Sequence, residues 1–323
     1  MLKKVMYLIN AGEDFYDMIR SAMPTDRYEL LVLKDDSPEE RKRLLAEAEV
    51  AIVGGLKMTE DDVRAAGRLR LVLHQGVGYH DTVVTDALMK RQVRLAITPQ
   101  GTSEGVAEHA IMMMLATGRR LAFCDSELRE GRWHSNTFRS AARQLFGATV
   151  GIIGLGRIGK QVAKRLIGFE TRTIYNDILE MDSDLERELK VKRVSLDEVL
   201  STSDFVTLHV PLTEHTYHMV DKAALAQMQP GSVLVNCARG SVVSEKALVA
   251  ALREGSIGGA GLDVFEEEPP TVPNPFAKFE NVVLTPHHAP GTRDTMLIKF
   301  REIFANADRF FSGEPMQNEI SLV

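Results

Sequence analysis

Val150-Gly151-Ile152-Ile153-Gly154-Leu155-Gly156-Arg157-Ile158-Gly159 decides the fold. An apolar run feeds a Gly-x-Gly-x-x-Gly turn, and a helix-like segment, Lys160 to Ile167, follows. A second apolar run, Thr173-Ile174-Tyr175, ends in Asp177. Strand, glycine turn, helix, strand and acid is the order of a dinucleotide-binding unit. Gly154 permits the tight turn, Gly156 lets the backbone approach a pyrophosphate, and Gly159 lets the helix pack closely on the strand. The helix start at Arg157, Ile158 and Gly159 offers unpaired N–H groups and a positive dipole end to the phosphates. Asp177 falls about 20 residues on, where a carboxylate accepts bonds from the adenosine ribose hydroxyls and repels a 2′-phosphate. Ile178 and Leu179 follow, with no arginine to receive that phosphate. The expected cofactor is NAD rather than NADP.

Outward from this stretch, apolar runs alternate with helical segments almost throughout. Val5–Ile9, Leu30–Leu33, Ala51–Val53, Leu69–Leu73 and Leu95–Ile97 read as short buried strands, with helical pieces such as Pro38–Ala48 and Glu60–Ala66 between them. A second series starts near Thr149 and continues with Phe205–Leu208, Ser232–Asn236, Gly258–Leu262 and Val282–Leu284. This βαβ rhythm predicts α/β architecture with parallel sheets. A long helical pattern from Ser103 to Arg119 is placed to cross from one domain to the other, and a last helix, Thr295 to Phe311, to return. Two domains with a cleft between them would set a substrate beside the cofactor. Met112, Met113 and Met114 read as packing rather than as a site.

The 323 residues suggest about two domains, and 44% hydrophobic with 26% charged residues suffices for real cores. A net charge of −6 without a basic run argues against nucleic acid or an anionic membrane as partner. Two cysteines, Cys124 and Cys237, fit a reducing cytoplasm and no disulfide framework. The N-terminal apolar stretch is short and meets Glu13, Asp14 and Asp17 at once, so it reads as a first strand, not a signal peptide. No apolar run approaches the roughly 20 residues needed to span a bilayer. No metal-ligand pattern stands out, and no metal is expected.

NAD carries hydride, so the protein must bind the substrate, polarise a carbonyl and move a proton. Three suitable groups follow predicted strands of the second series. Arg239, in Asn236-Cys237-Ala238-Arg239-Gly240, has the fork geometry that grips a carboxylate. Glu268 ends a run of three glutamates. His287, in Thr285-Pro286-His287-His288, is a natural proton donor near neutrality, although its neighbour His288 leaves the choice open on local grounds.

With these residues in hand, the chain resembles the NAD-dependent D-2-hydroxyacid dehydrogenases, which include D-lactate, glycerate and D-3-phosphoglycerate dehydrogenases and hydroxypyruvate reductases. The resemblance covers nearly the whole chain. It rests on the glycine turn, His209-Val210-Pro211-Leu212-Thr213, Met228 through Gly240, Gly261-Leu262-Asp263-Val264-Phe265 with Glu268-Pro269, and Thr285-Pro286-His287. It implies two doubly wound parallel-sheet domains. A flavodoxin-like substrate domain comprises 1–100 plus 290–323, and a Rossmann NAD-binding domain comprises 101–289. The implied catalytic trio has Arg239 orienting a 2-oxo acid, His287 protonating its carbonyl oxygen, and Glu268 holding the imidazole protonated. Asp263 matches the residue that holds the nicotinamide amide. His209 and Pro211 match positions near the cofactor, as do Cys237 and Ala238; Cys237 reads as a small buried residue rather than a reactive thiol.

The loops Gly54-Gly55-Leu56-Lys57 and Gln75-Gly76-Val77-Gly78-Tyr79-His80-Asp81 match the family's substrate loops. Gly55, Leu56, Gly76, Val77 and Gly78 are therefore the candidate substrate contacts, with backbone N–H groups of Gly55, Gly76 and Gly78 receiving the carboxylate. His80-Asp81 departs from the usual Gly-x-Asp-Asn ending, and Lys57 stands near where many phosphoglycerate dehydrogenases carry an arginine. His288 replaces a usually aliphatic residue. His109 matches a recurrent Ala-Glu-His and reads as structural. The chain also stops soon after the last helix, without the regulatory domain of some phosphoglycerate dehydrogenases. Trp133, Phe138 and Leu145 fall in the region through which family members pair, so a homodimer is expected. The expected partner is a small 2-oxo or 2-hydroxy acid. Two other readings stand beside this one: an NAD(H)-sensing binding protein of the corepressor type, and a formate dehydrogenase, which normally has glutamine where Glu268 stands.

Overall fold

Val50–Val53 and Leu71–His74 are buried at every position, the pattern of strands covered on both faces of a parallel sheet. The structure is a computed structural model and describes residues 2–35, 37–54 and 56–322. It divides into two units, Met1–Thr102 with Gly291–Val323, and Ser103–Pro290.

The first unit runs β1 (Lys3–Leu8), α1 (Glu13–Ala22), β2 (Tyr28–Leu31), α2 (Pro38–Glu47), β3 (Val50–Val53), α3 (Glu60–Ala65), β4 (Leu71–His74), α4 (Thr85–Lys90) and β5 (Arg94–Ile97). These strands are parallel in the order β2-β1-β3-β4-β5. The order reverses between β1 and β3, so loops after these strands collect where open α/β sheets take ligands. Local chemistry starts the helices: Ser37 accepts from the Glu40 N–H ahead of Pro38, and Thr59 with Asp62 forms a capping box on α3.

The second unit runs α5 (Thr102–Gly118), α6 (Leu121–Arg129), β6 (Thr149–Ile153), α7 (Arg157–Leu166), β7 (Arg172–Asn176), α8 (Ser183–Leu189), β8 (Val191–Arg193), α9 (Leu196–Thr202), β9 (Phe205–Leu208), α10 (Lys222–Gln227), β10 (Val233–Asn236), α11 (Glu245–Glu254), β11 (Gly259–Leu262) and β12 (Val282–Leu284). All seven strands are parallel, in the order β8-β7-β6-β9-β10-β11-β12, and the switch lies between β6 and β9. The helix expected to cross between domains instead opens this unit. Its Val106, Ala107, Ala110, Ile111, Met113 and Met114 join one core with Val150, Ile152 and Val162.

The chain then returns to the first unit with α12 (Arg293–Ser312) and β13 (Glu319–Ile320). Met296, Phe300, Ile303, Phe304 and Ala307 of α12 pack with Val5, Tyr7, Tyr16 and Ile19. Burying each of its large side chains stabilises the unit by about 1.5–3 kcal/mol. β13 adds antiparallel to β5, and Arg94 grips the Glu319 carboxylate through Nε and Nη2, both at 2.5 Å. Among the described residues, no helix is long and apolar enough to cross a membrane.

Candidate active site

The glycine turn sits at the carboxyl end of β6. Gly154 has φ of +93°, and a Cβ there would lie 2.7 Å from the His209 carbonyl oxygen, so both conformation and packing require glycine. A Cβ at Gly159 would collide with the Gly154 carbonyl. A Cβ at Gly156 would meet no protein atom within 4 Å. The protein's own packing therefore does not require glycine at 156, and the open space there fits the close approach of a pyrophosphate to that backbone. The ten-residue helix α7 begins there without a side-chain cap, with Arg157, Ile158 and Gly159 in its first turn. Asp177, just past β7, accepts the Leu155 N–H at 2.6 Å on one carboxylate oxygen and the Leu179 N–H at 2.8 Å on the other. It thus ties the turn to the second strand and remains part-exposed. Arg193, which the sequence reading passed over, donates to the Asp177 carbonyl at 2.9 Å.

His209 follows β9. Its Nε2 lies 3.0 Å from the Thr207 hydroxyl, and its Nδ1 is buried without a partner among the described residues. Burial pushes its imidazole down to about 3, so the ring is neutral. The Pro211 carbonyl accepts from Thr216 Oγ1 at 2.6 Å. Burial also pushes the Cys237 thiol up, well away from a reactive thiolate. The Ala238 N–H donates to Asn236 Oδ1 at 3.0 Å, while Asn236 Nδ2 donates to the Arg239 carbonyl at 2.9 Å. The buried Asn236 amide thus brackets the turn that carries Arg239.

A Cβ at Gly240 would overlap the Phe265 carbonyl group, so the Arg239 turn rests directly on the segment leading to Glu268. Glu268 accepts the Phe265 N–H at 3.0 Å on Oε1 and faces His287 Nδ1 at 2.7 Å with Oε2. Burial pushes the Glu268 carboxyl up. The His287 hydrogen bond and charge, the Phe265 N–H and the Arg239 guanidinium outweigh it and hold the group below its usual value. As an anion, Glu268 accepts from Nδ1–H, which turns His287 Nε2 outward. The His287 side chain is 44% exposed, which leaves that nitrogen open to solvent.

The His287 backbone is left-handed, with φ of +48°. A non-glycine residue there costs roughly 1–2 kcal/mol. Its N–H donates to the Asp263 carbonyl at 2.7 Å. The fully buried Asp263 carboxylate accepts from Thr285 Oγ1 at 2.6 Å, the His288 N–H at 3.1 Å and the Ala289 N–H at 2.9 Å. Asp263 therefore holds the turn that presents His287. His109 on α5 completes this support, its Nε2 lying 3.0 Å from Thr285 Oγ1, with His288 edge-on at 5.2 Å. Burial pushes the His109 imidazole down, against the pull of Asp263.

The first unit supplies the other candidates. Gly55 lies outside the described residues. Leu56 donates its N–H to the Leu8 carbonyl at 3.0 Å, and the Lys57 carbonyl accepts from Arg41 at 2.8 Å while its side chain faces solvent. The Gly76 N–H donates to His74 Nδ1 at 3.0 Å. The other ring nitrogen of His74 meets Thr82 Oγ1 at 3.0 Å, and the Thr82 hydroxyl also reaches the Gly78 carbonyl at 3.4 Å. This clamp shapes the loop around Val77 and Gly78, and no local sequence pattern announces it. His80 is exposed and stacks on Tyr79 at 4.0 Å. In the second unit Leu145 is 2% exposed and joins the core, whereas Trp133 is 76% and Phe146 62% exposed.

Residues 111–289 match the profile of the D-isomer specific 2-hydroxyacid dehydrogenase, NAD binding domain. A glyoxylate reductase of Korarchaeum cryptofilum is 39% identical over 92% of this chain and 90% of that protein. A D-3-phosphoglycerate dehydrogenase of Archaeoglobus fulgidus is 34% identical over 99% of this chain, which spans 59% of that protein's length. Among solved structures, an NAD-dependent formate dehydrogenase from Staphylococcus aureus in complex with NAD superposes with a TM-score of 0.86 at 29% identity, covering 100% of this chain and 99% of that one.

Proposed function

This chain belongs to the D-isomer specific 2-hydroxyacid dehydrogenase family, an NAD-linked oxidoreductase family, and from that premise we propose that Arg239, Glu268 and His287 interconvert a small 2-oxo acid and its D-2-hydroxy acid. NAD, when bound, carries the hydride. Gly154, Gly156 and the first turn of α7 hold the pyrophosphate, and Asp177 holds the adenosine ribose. In reduction, His287 Nε2 gives its proton to the carbonyl oxygen. Glu268 keeps Nδ1–H engaged, fixes the tautomer and stabilises the imidazolium. Arg239 binds the acid and polarises its carbonyl. Within the first unit, Leu56 and the N–H groups of Val77 and Gly78 are the candidates for binding a carboxylate.

The observation that carries this reading is the His287–Glu268 pair at 2.7 Å, the catalytic pairing that the sequence implies. A carboxylate at 268 disfavours the formate reading, because formate oxidation transfers hydride with no substrate oxygen to protonate and needs no acid. Relatives named glyoxylate reductase, D-3-phosphoglycerate dehydrogenase and hydroxypyruvate reductase point to short 2-oxo acids as the substrate class. The exposed Trp133 and Phe146 support a homodimer, and the free Cys124 and Cys237 support the cytoplasm as its site of action.

The test is NADH oxidation across about a dozen 2-oxo acids, repeated with Arg239→Ala. We expect turnover on glyoxylate, hydroxypyruvate or pyruvate. In the variant kcat/KM falls at least about a hundredfold with NADH binding retained, the scale of losing a charged hydrogen-bond pair. Unchanged activity in the variant, or no turnover on any acid, overturns the reading.

A further inference from the structure

His218 lies in the loop between β9 and α10, outside the proposed trio, and its backbone is left-handed, with φ of +49°. A non-glycine residue in that region is strained, and such strain persists only where surrounding contacts hold it. The contacts here run to both arms of the trio. The His218 N–H donates to the Ser241 carbonyl at 2.8 Å, and the Val220 N–H donates to the Val242 carbonyl at 3.1 Å. The Ser244 N–H returns to the Val220 carbonyl at 3.0 Å. This loop is thus laced to the stretch that leaves Arg239.

The ring reaches the second arm. Its Nε2 is buried 3.0 Å from Glu266 Oε1, within ion-pair reach though off a hydrogen-bond line. The same Glu266 oxygen accepts the Glu245 N–H at 2.8 Å, and Glu245 Oε1 accepts the Glu266 N–H at 2.8 Å. Glu266 stands two residues before Glu268, whose Oε1 takes the Phe265 N–H. Burial pushes the Glu245 carboxyl up, and the charges of Glu266, Glu267 and Glu268 add to that push. Four carboxylates therefore crowd this corner, and the imidazole is set against one of them. Tyr217 stacks on the ring at 4.0 Å.

We propose that His218 is a positioning residue for the reaction: holding the stretch after Arg239 with its backbone and Glu266 with its ring, it keeps Glu268 aligned on His287. The inference rests on the proposed reaction, and every residue in it belongs to the second unit.

His218→Gly suits the left-handed backbone, keeps the N–H to Ser241 and removes only the ring. With wild-type turnover measured first, kcat falls about tenfold, the scale of a slightly misplaced catalytic group, while the NADH dissociation constant stays within about twofold. Glu266→Gln keeps an oxygen for the Glu245 N–H, removes the charge that faces the ring, and gives the same loss without touching the strained residue. The decisive reading is a cycle with Glu268→Gln. In that background either change costs less than about twofold, because the group it aligns has already lost its charge. A general loosening of the fold would instead cost the same factor in both backgrounds. Wild-type kcat in His218→Gly and Glu266→Gln, or equal losses in both backgrounds, overturns the inference and leaves the reaction standing. Absence of turnover in the wild type overturns both.

Discussion

At the residue scale the site is a set of side chains whose protons are assigned by their neighbours. Glu268 stays ionised below the ordinary carboxylate range because His287, Phe265 and Arg239 together outweigh its burial. Its anion favours the protonated ring and is lost only as pH falls through that lowered value. Glu268→Gln keeps a hydrogen-bond acceptor and removes the charge. We expect kcat for reduction to fall roughly ten- to a hundredfold while NADH binding is retained. An unchanged kcat means the carboxylate only shapes the loop. Lys299 of α12 shows the opposite case: it is 1% exposed, and burial pushes its amine from 10.5 down to about 8. That lowering corresponds to about 3 kcal/mol of destabilisation at neutral pH. The folded chain releases this proton more readily than the unfolded chain, so the penalty is complete below pH 8 and fades toward pH 10.5. Lys299→Met should raise Tm by several degrees at pH 7 and by little at pH 10. Equal gains at both pH values would remove burial of the charge as the cause.

At the element scale the glycine turn separates packing from binding. Gly159→Ala drives a methyl into the Gly154 carbonyl and should lower Tm and NADH affinity together. Gly156→Val places its Cβ in open space and should weaken NADH binding at least about tenfold while Tm moves by less than about 2 °C. A large Tm loss for Gly156→Val would show that the turn itself requires that glycine. The same elements show what the sequence could and could not reveal. Strands such as Val233–Asn236 and helices such as α7 were legible because each is a buried aliphatic run or a periodic face with its own cap or glycine. α1 is less legible, because its Gly12 cap offers no side-chain oxygen and its core face shows only Tyr16 and Ile19 fully buried. β13 has two residues, too few for any alternation, and its partner β5 lies more than 200 residues earlier. In the site, residues next to glycine and proline punctuation were legible. The supports Asn236, His74 with Thr82, and Thr285 with His109 were not, since each contact depends on the fold that brings its residues together.

At the scale of the whole molecule, unpaired apolar surface is the open account. Trp133, Phe146, Leu121 and Leu128 are all more than half exposed within one stretch of the second unit. We propose this stretch as the surface through which two copies associate. Light scattering should give about twice the 35.9 kDa chain mass, and Trp133→Glu should shift it toward the monomer. A wild-type monomer at micromolar concentration would refute the homodimer.

Because α12 supplies Met296, Phe300, Ile303 and Phe304 to the core built on β1 and α1, synthesis runs in a nested order. The ribosome releases residues 103–290 as one uninterrupted stretch while the N-terminal sheet still lacks the helix that covers one of its faces. The nucleotide-binding half is thus free to mature first, and strands β1 to β5 must wait, apolar surface bared, until α12 has been made.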